Sequence, residues 1–157
     1  LYFTSPSWGN MSLGQMMKQI GFFIAEEPNA QYKIIIGSDS QTTQQSTMYV
    51  TALIVQRIGK GSCFFYRKKK EKPLFNLRHR IYNETQLSLE LVDTLKEAGI
   101  SHLLLEWPLE IHLDIGKQGE TRQLIQEVVG WVTAIGYTAK IKPYSFGASS
   151  VADKFTG

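Results

Sequence analysis

The sequence predicts an α/β domain: a mixed five-stranded sheet with helices on both faces and an extra helix at the N-terminus. Three observations carry this. Strand-like segments between residues 32 and 69 follow one another through short turns. After them, strand-like segments alternate with stretches of helical periodicity. The first strand has a continuous Ile34-Ile35-Ile36 run, as expected of a strand buried on both faces.

The elements can be justified in order. Residues 1–11 read as irregular, with Pro6, Gly9 and several hydroxyl side chains. Ser12 suits the N-cap of a first helix running to about Glu26, where Pro28 and Asn29 stop it. Leu13, Met16, Met17, Ile20, Phe23 and Ile24 recur at helical spacing along it. Strands are expected over Tyr32–Ser38, Met48–Ile58 and Cys63–Lys69, with a turn at Gly59-Lys60-Gly61-Ser62. A helix follows from Leu77 to Ala98, with Gly99 as its stop. Leu103–Leu105 is apolar but ambiguous, and Trp107-Pro108 reads as a loop entering the fourth strand, Leu109–Ile115. A helix over Thr121–Ile135 ends at Gly136, the fifth strand spans Tyr137–Lys142 before Pro143, and a last short helix covers Gly147–Phe155. After the first helix the order is β-β-β-α-β-α-β-α. No repeat, low-complexity tract or linker divides the chain.

Short connections make the first three strands an antiparallel meander, and helical connections make the later ones parallel to the first. Strands 1 and 4 then end on the same side of the sheet. The loop after strand 3 arrives there too. That edge is where open α/β sheets bind ligands.

Composition narrows the classes of function. The chain has 157 residues, 43% hydrophobic and 20% charged, which are the values of one globular domain rather than a disordered segment. A net charge of +3 and a pI near 9.0 permit a polyanionic partner without requiring one. Cys63 is the single cysteine, which excludes an internal disulfide and a multi-cysteine zinc site and suits a reducing, cytoplasmic setting. No apolar run approaches the ~20 residues of a membrane-spanning helix, and the first residues lack the charged head and apolar centre of a signal peptide. The chain begins at Leu1 rather than Met, so its native start is expected to be missing or replaced.

Glu84 stands out. At about 100° per residue, Leu77, Ile81, Leu87, Leu91, Leu95 and Ala98 fall in one stripe, with Glu84 at its centre. Glu90 and Asp93 point away from it. A carboxylate on an interior face is costly unless it is paired, hydrogen-bonded or holding a metal. The sequence offers it other carboxylates at element ends: Asp39 in IIIGSDSQ, Asp114 in IHLDIG and Asp153 in SSVADK. Taken singly, Asp39 and Asp114 read equally well as turn caps, and Asp153 as a solvated helix residue. Together, four acids repel one another and need a cation. Oxygen ligands of high charge suit Mg²⁺ or Mn²⁺. Two such ions about 4 Å apart can activate a water and stabilise the leaving oxygen of a phosphodiester.

The element order and these acids resemble the ribonuclease H-like superfamily. That pattern has an Asp on the first strand, a Glu on the helix after the meander, an Asp ending the fourth strand and a final acid on the C-terminal helix. More closely, the chain resembles the ribonuclease H-like YkuK family of bacterial proteins over nearly its whole length. The matching segments are IGSDSQ at 36–41, the helix with Glu84 and Ser88, HLDIG at 112–116, LIQEVVG at 124–130, KIKP at 140–143 and ASSVADK at 148–154. The resemblance implies a ribonuclease H-like fold and a nuclease site of Asp39, Glu84, Asp114 and Asp153. It implies no particular substrate.

Around those acids lie candidate substrate contacts. Arg67-Lys68-Lys69-Lys70, Lys72, Arg78, His79 and Arg80 precede Glu84 and would suit a phosphate backbone, or else form a solvated hairpin end. Cations at a helix start oppose its dipole, which favours a separate purpose. Tyr66, Phe75 and Tyr82 read as packing residues or base-stacking ones. His112, two residues before Asp114, reads as a sheet-face histidine or a proton carrier, and Lys154 as a surface lysine or a phosphate contact. The resulting expectation is a divalent-metal-dependent nuclease acting on RNA, DNA or a hybrid. The alternative is a non-catalytic nucleic-acid- or protein-binding module that keeps the fold. A phosphatase acting on small phosphoesters is a third reading.

Overall fold

The computed structural model describes residues 2–100, 107–116, 122–142 and 144–145. Strands β1 (Tyr2–Ser5) and β2 (Gly9–Ser12) precede helix α1 (Leu13–Glu26). Then come β3 (Tyr32–Thr42), β4 (Thr47–Arg57), β5 (Ser62–Glu71) and helix α2 (Leu77–Leu95). Strand β6 (Leu109–His112), helix α3 (Arg122–Ile135) and strand β7 (Thr138–Lys140) complete the described elements. The sheet has seven strands in the order β2-β1-β5-β4-β3-β6-β7. The meander β3-β4-β5 is antiparallel, and β6 and β7 run parallel to β3, as expected.

The two additional strands come from the N-terminal segment read as irregular. Its Pro6-Ser7-Trp8 forms the turn of a hairpin closed by the Ser5–Gly9 pair, and Phe3 and Met11 pair across it, both buried. A strand this short gains its stability from the core under it and from β5, which it meets at Thr4 and Tyr66. Ser12 caps α1 as the sequence predicts. Its hydroxyl accepts from the Gln15 amide at 3.2 Å and its own amide donates to the Gln15 side chain at 2.8 Å.

Strand β3 extends four residues past the expected Ser38. Ser-Asp-Ser-Gln-Thr has little strand propensity, but each residue is paired with β4 as far as Thr42 opposite Thr47. Asp39 is therefore inside the strand rather than at its end. Strand β6 is shorter than expected, ending at His112. Parallel pairing with the β7 segment nevertheless continues through Leu113 N–H to Lys140 C=O (2.9 Å) and Lys142 N–H to Ile115 C=O (2.8 Å).

Side chains alternate between the two faces of the sheet. Ile34, Ile36, Leu53, Val55, Phe65 and Ile111 belong to the main core, which also takes Met16 and Ile20 of α1, Leu91 and Leu95 of α2 and Val128 and Val132 of α3. All three described helices thus pack on one face. On the other face Ile35, Val50, Ala52 and Ile54 form a second cluster with Met48, Phe64 and Tyr66, all from strands. The helix expected over residues 147–155 and the apolar segment 103–105 lie outside the described residues.

Helix α2 buries Ile81, Glu84, Leu87, Ser88, Leu91 and Leu95, while Glu90 and Asp93 are exposed. Leu77 and Ala98 depart from the expected stripe, both being exposed. Leu77 is in the first turn, beyond the edge of the sheet's core. Ala98 falls in a wider turn, Lys96–Ile100, that ends the helix with Gly99 at φ 96°.

Candidate active site

Glu84 is only 8% exposed. It enters the sheet's helical face opposite the polar end of β3, where Ser38 and Ser40 project from alternate positions. Ser40 Oγ donates to Glu84 Oε2 at 2.5 Å. One turn along α2, the Ser88 and Ser38 hydroxyls bond at 2.8 Å, and Ser38 also bonds Thr51 at 2.9 Å. Burial pushes the Glu84 carboxyl well above its ordinary range; the Ser40 bond opposes this, the Asp39 and Asp114 charges add to it, and Arg80 opposes it. The carboxylates of Asp39 and Asp114 therefore lie within electrostatic reach of Glu84.

The parallel register makes that proximity intelligible. Ile34 is level with Leu109 and Gly37 with His112, so two further residues bring Asp39 level with Asp114. The two acids share one end of the sheet. Glu84 and Asp114 also line one small cavity of about 10 Å³, together with Ser38, Thr85 and Ser88. Asp39 differs in aspect. Alternation sets it on the face opposite Ser38 and Ser40, across from Val50, and it is 7% exposed. Asp153 and Lys154 lie outside the described residues.

Asp114 follows the end of β6, with its side chain 27% exposed, and forms an ion pair with Lys142 Nζ at 2.9 Å. Gly116 allows this approach. A Cβ there would sit 3.2 Å from Lys142 Cβ, tighter than ordinary contact. Oxygen donors of this kind fit a hard divalent cation chemically, and a buried carboxyl driven toward its neutral form is the expected state of such a donor without one. Among the described residues, however, no three His, Cys, Asp or Glu side chains are grouped so as to hold a metal ion.

The basic residues are divided. Strand alternation puts Lys69 opposite Tyr49 on the helical face, where it pairs with Glu71 at 3.2 Å. Lys68 and Lys70, opposite Val50 and Met48, face the other way, on the side of Asp39. Arg78 is tied to Glu127 of α3, which also accepts from the Tyr82 hydroxyl. Arg80 reaches Thr42 Oγ1 at 3.3 Å, and its charge lowers the Glu84 pKa. His112 is 3% exposed and bonds Glu110 through Nε2 at 3.0 Å; Glu110 in turn pairs with Lys33 at 3.2 Å. Burial lowers the His112 pKa, Glu110 opposing it. Among the described residues its buried Nδ1 has no hydrogen-bond partner.

Sequence reasoning missed Ser40, Lys142 and Glu127 as partners of site residues. Ser40 carried a signal: in a strand, it shares the face of Ser38 two residues away. Lys142 and Glu127 carried none, because their partners come from other elements.

A mixed sheet of this topology, an antiparallel meander followed by strands parallel to its first strand, defines a ribonuclease H-like domain. The chain belongs to that family: the ribonuclease H-like family description matches residues 15–157. It is 36% identical to the uncharacterized protein YkuK of Bacillus subtilis (strain 168) over 165 aligned positions, covering 98% of this chain and 96% of the relative. No described helix is long and apolar enough to cross a membrane.

Proposed function

We propose that this protein is a divalent-metal-dependent nuclease hydrolysing phosphodiester bonds of RNA, DNA or a hybrid. The observation that carries the reading is Glu84, a carboxyl buried against a polar strand end and within reach of two further acids. A structural role is better served by an apolar residue there, since burying an ionisable group costs stability. Family membership supports the same chemistry.

Asp39, Glu84, Asp114 and Asp153 would hold Mg²⁺ or Mn²⁺, which supplies Lewis-acid activation of water and neutralises charge on the phosphate. Ser40 orients the Glu84 carboxylate by its hydrogen bond. Strand β3, paired with β4 along its whole length, holds Asp39 on a rigid element. Lys68 and Lys70, on the Asp39 side, would contact the substrate backbone, whereas Arg78 is engaged in tying α2 to α3.

Single-turnover cleavage of labelled single-stranded RNA, duplex DNA and an RNA–DNA hybrid tests this, with Mg²⁺, Mn²⁺ and EDTA. Metal-dependent cleavage that Asp39→Asn abolishes supports the reading. The Asp114–Lys142 pair favours one rival, a binding module whose acids are neutralised from within the chain. Binding of these substrates without cleavage under any divalent metal would establish it.

A further inference from the structure

Beside the acid site, a groove of about 490 Å³ opens between α2 and the segment joining β5 to α2. That is within the roughly 300–1,000 Å³ of small-molecule sites. Its floor is apolar, from Pro73, Leu74 and Leu87. Asn83 and Gln86, one turn apart on α2 and both exposed, stand at its wall.

The groove is rich in acceptors. Asn83 Nδ2 donates to the Tyr49 hydroxyl at 3.0 Å and Gln86 Nε2 to Glu90 Oε1 at 3.2 Å. Both amides thereby turn their carbonyl oxygens away from those partners. Glu71 and Glu90 add carboxylates, and Lys69 and Lys72 match them charge for charge. A lining of balanced charge has no net attraction for a phosphate. What fits is a flat, uncharged group with an apolar face and N–H donors on its edge.

We propose that this groove binds one unpaired nucleobase bearing an exocyclic amine, adenine or cytosine, of a single-stranded substrate. The proposal deepens the nuclease reading and rests on it for the origin of the strand. Asparagine and glutamine side chains match base edges bidentately, and carboxylates accept from the amines. In a duplex those edges are already paired, so the groove selects a single strand. The position suits a substrate of the acid site. Asn83 immediately precedes Glu84, and Tyr49 is paired across β3 and β4 with Ser40, the donor to Glu84. Phe75, 68% exposed at the end of the same loop, offers a stacking face to a neighbouring base.

The test is a chemical-shift titration of the full chain in EDTA with AMP, CMP and UMP, repeated on the Asn83→Ala/Gln86→Ala variant. Both positions are exposed on the helix, so the variant should fold, with its melting temperature lowered only by loss of the Asn83–Tyr49 bond. AMP and CMP should shift the Asn83 and Gln86 side-chain amide signals and bind about tenfold more tightly than UMP, and the variant should lose about tenfold in their affinity. Equal binding of all three nucleotides with no loss in the variant overturns the proposal, as does no binding at all. Because no metal is present, the two readings separate. Nucleotide binding in a protein that cuts nothing leaves the groove standing and removes the nuclease. Cleavage whose rate and base preference the variant does not change removes the groove and leaves the nuclease.

Discussion

Ser40 Oγ donates to Glu84 Oε2 at 2.5 Å, linking a strand and a helix 44 residues apart in sequence. This bond is the direct support of a carboxyl whose pKa burial nevertheless holds well above its ordinary range. Ser40→Ala should destabilise the metal-free protein near neutral pH by about 1–3 kcal/mol, the cost of an unsatisfied buried acceptor. Urea denaturation of both proteins measures it; an unchanged midpoint would show that the bond carries no stability.

Glu84→Gln should act in the opposite direction. The folded pKa of Glu84 lies above its ordinary value of 4.5, so the native state binds the proton more tightly than the unfolded chain. Stability from this group is full below that ordinary value and is lost as pH rises through the folded pKa. The metal-free parent should therefore lose stability over that window, while Glu84→Gln, which cannot ionise, should not. With Mn²⁺ the order should reverse, because ligand binding to the native state stabilises only the protein that retains the donor. Melting curves against pH, with and without Mn²⁺, check both signs.

Replacing lysines face by face should separate their roles. Asp39→Asn, nearly isosteric but uncharged, should keep the fold and remove nearly all Mn²⁺-dependent cleavage. Lys68→Ala with Lys70→Ala should weaken substrate binding and reduce its salt slope by about two, with the chemical step less affected. Lys69→Ala, on the opposite face and paired with Glu71, should change the slope less. Equal effects from all three lysines would mean that the substrate crosses the strand end rather than following one face.

Glu127 predicts an acid-sensitive contact between α2 and α3. The Tyr82 hydroxyl, and then Arg78, hold its carboxyl below the ordinary value of 4.5. Its contribution is present above that value and is lost as pH falls through the folded pKa. Glu127→Gln should flatten the acid limb of stability, and Tyr82→Phe should flatten it in part. Denaturant midpoints measured on either side of that value decide it.

Cys63 should be inert in the folded protein. Burial pushes its thiol up to about 12, and it lies in the main core. At pH 8 the thiolate is therefore scarce, and a disulfide reagent should label it at the rate of unfolding rather than at the rate of a free thiol. Rapid labelling without denaturant would contradict this burial.

Much of the fold was legible because it is written in local patterns. The Ser12 cap, the isoleucine run of β3 and the stripe of α2 from Ile81 to Leu95 each depend on neighbours in sequence, and the structure bears each out. The N-terminal hairpin and the far half of β3 were not legible. In the hairpin, Pro6 and Gly9 mask the strand-forming Tyr2-Phe3-Thr4, and in β3 Ser-Asp-Ser-Gln-Thr has little strand propensity of its own; pairing with β5 and β4 decides both.

The site divides in the same way. The sequence by itself determined that Glu84 is interior, since helical periodicity fixes which residues share a stripe, and that Asp39 and Asp114 end on one side of the sheet, since connection lengths fix strand direction. Only the tertiary structure decided that Ser40 supports Glu84, that Lys142 pairs with Asp114, and that Lys68 and Lys70 part company with Lys69. These depend on which residues face each other across strands and helices. That is set by register and packing between distant segments, where a shift of one residue reverses every side chain.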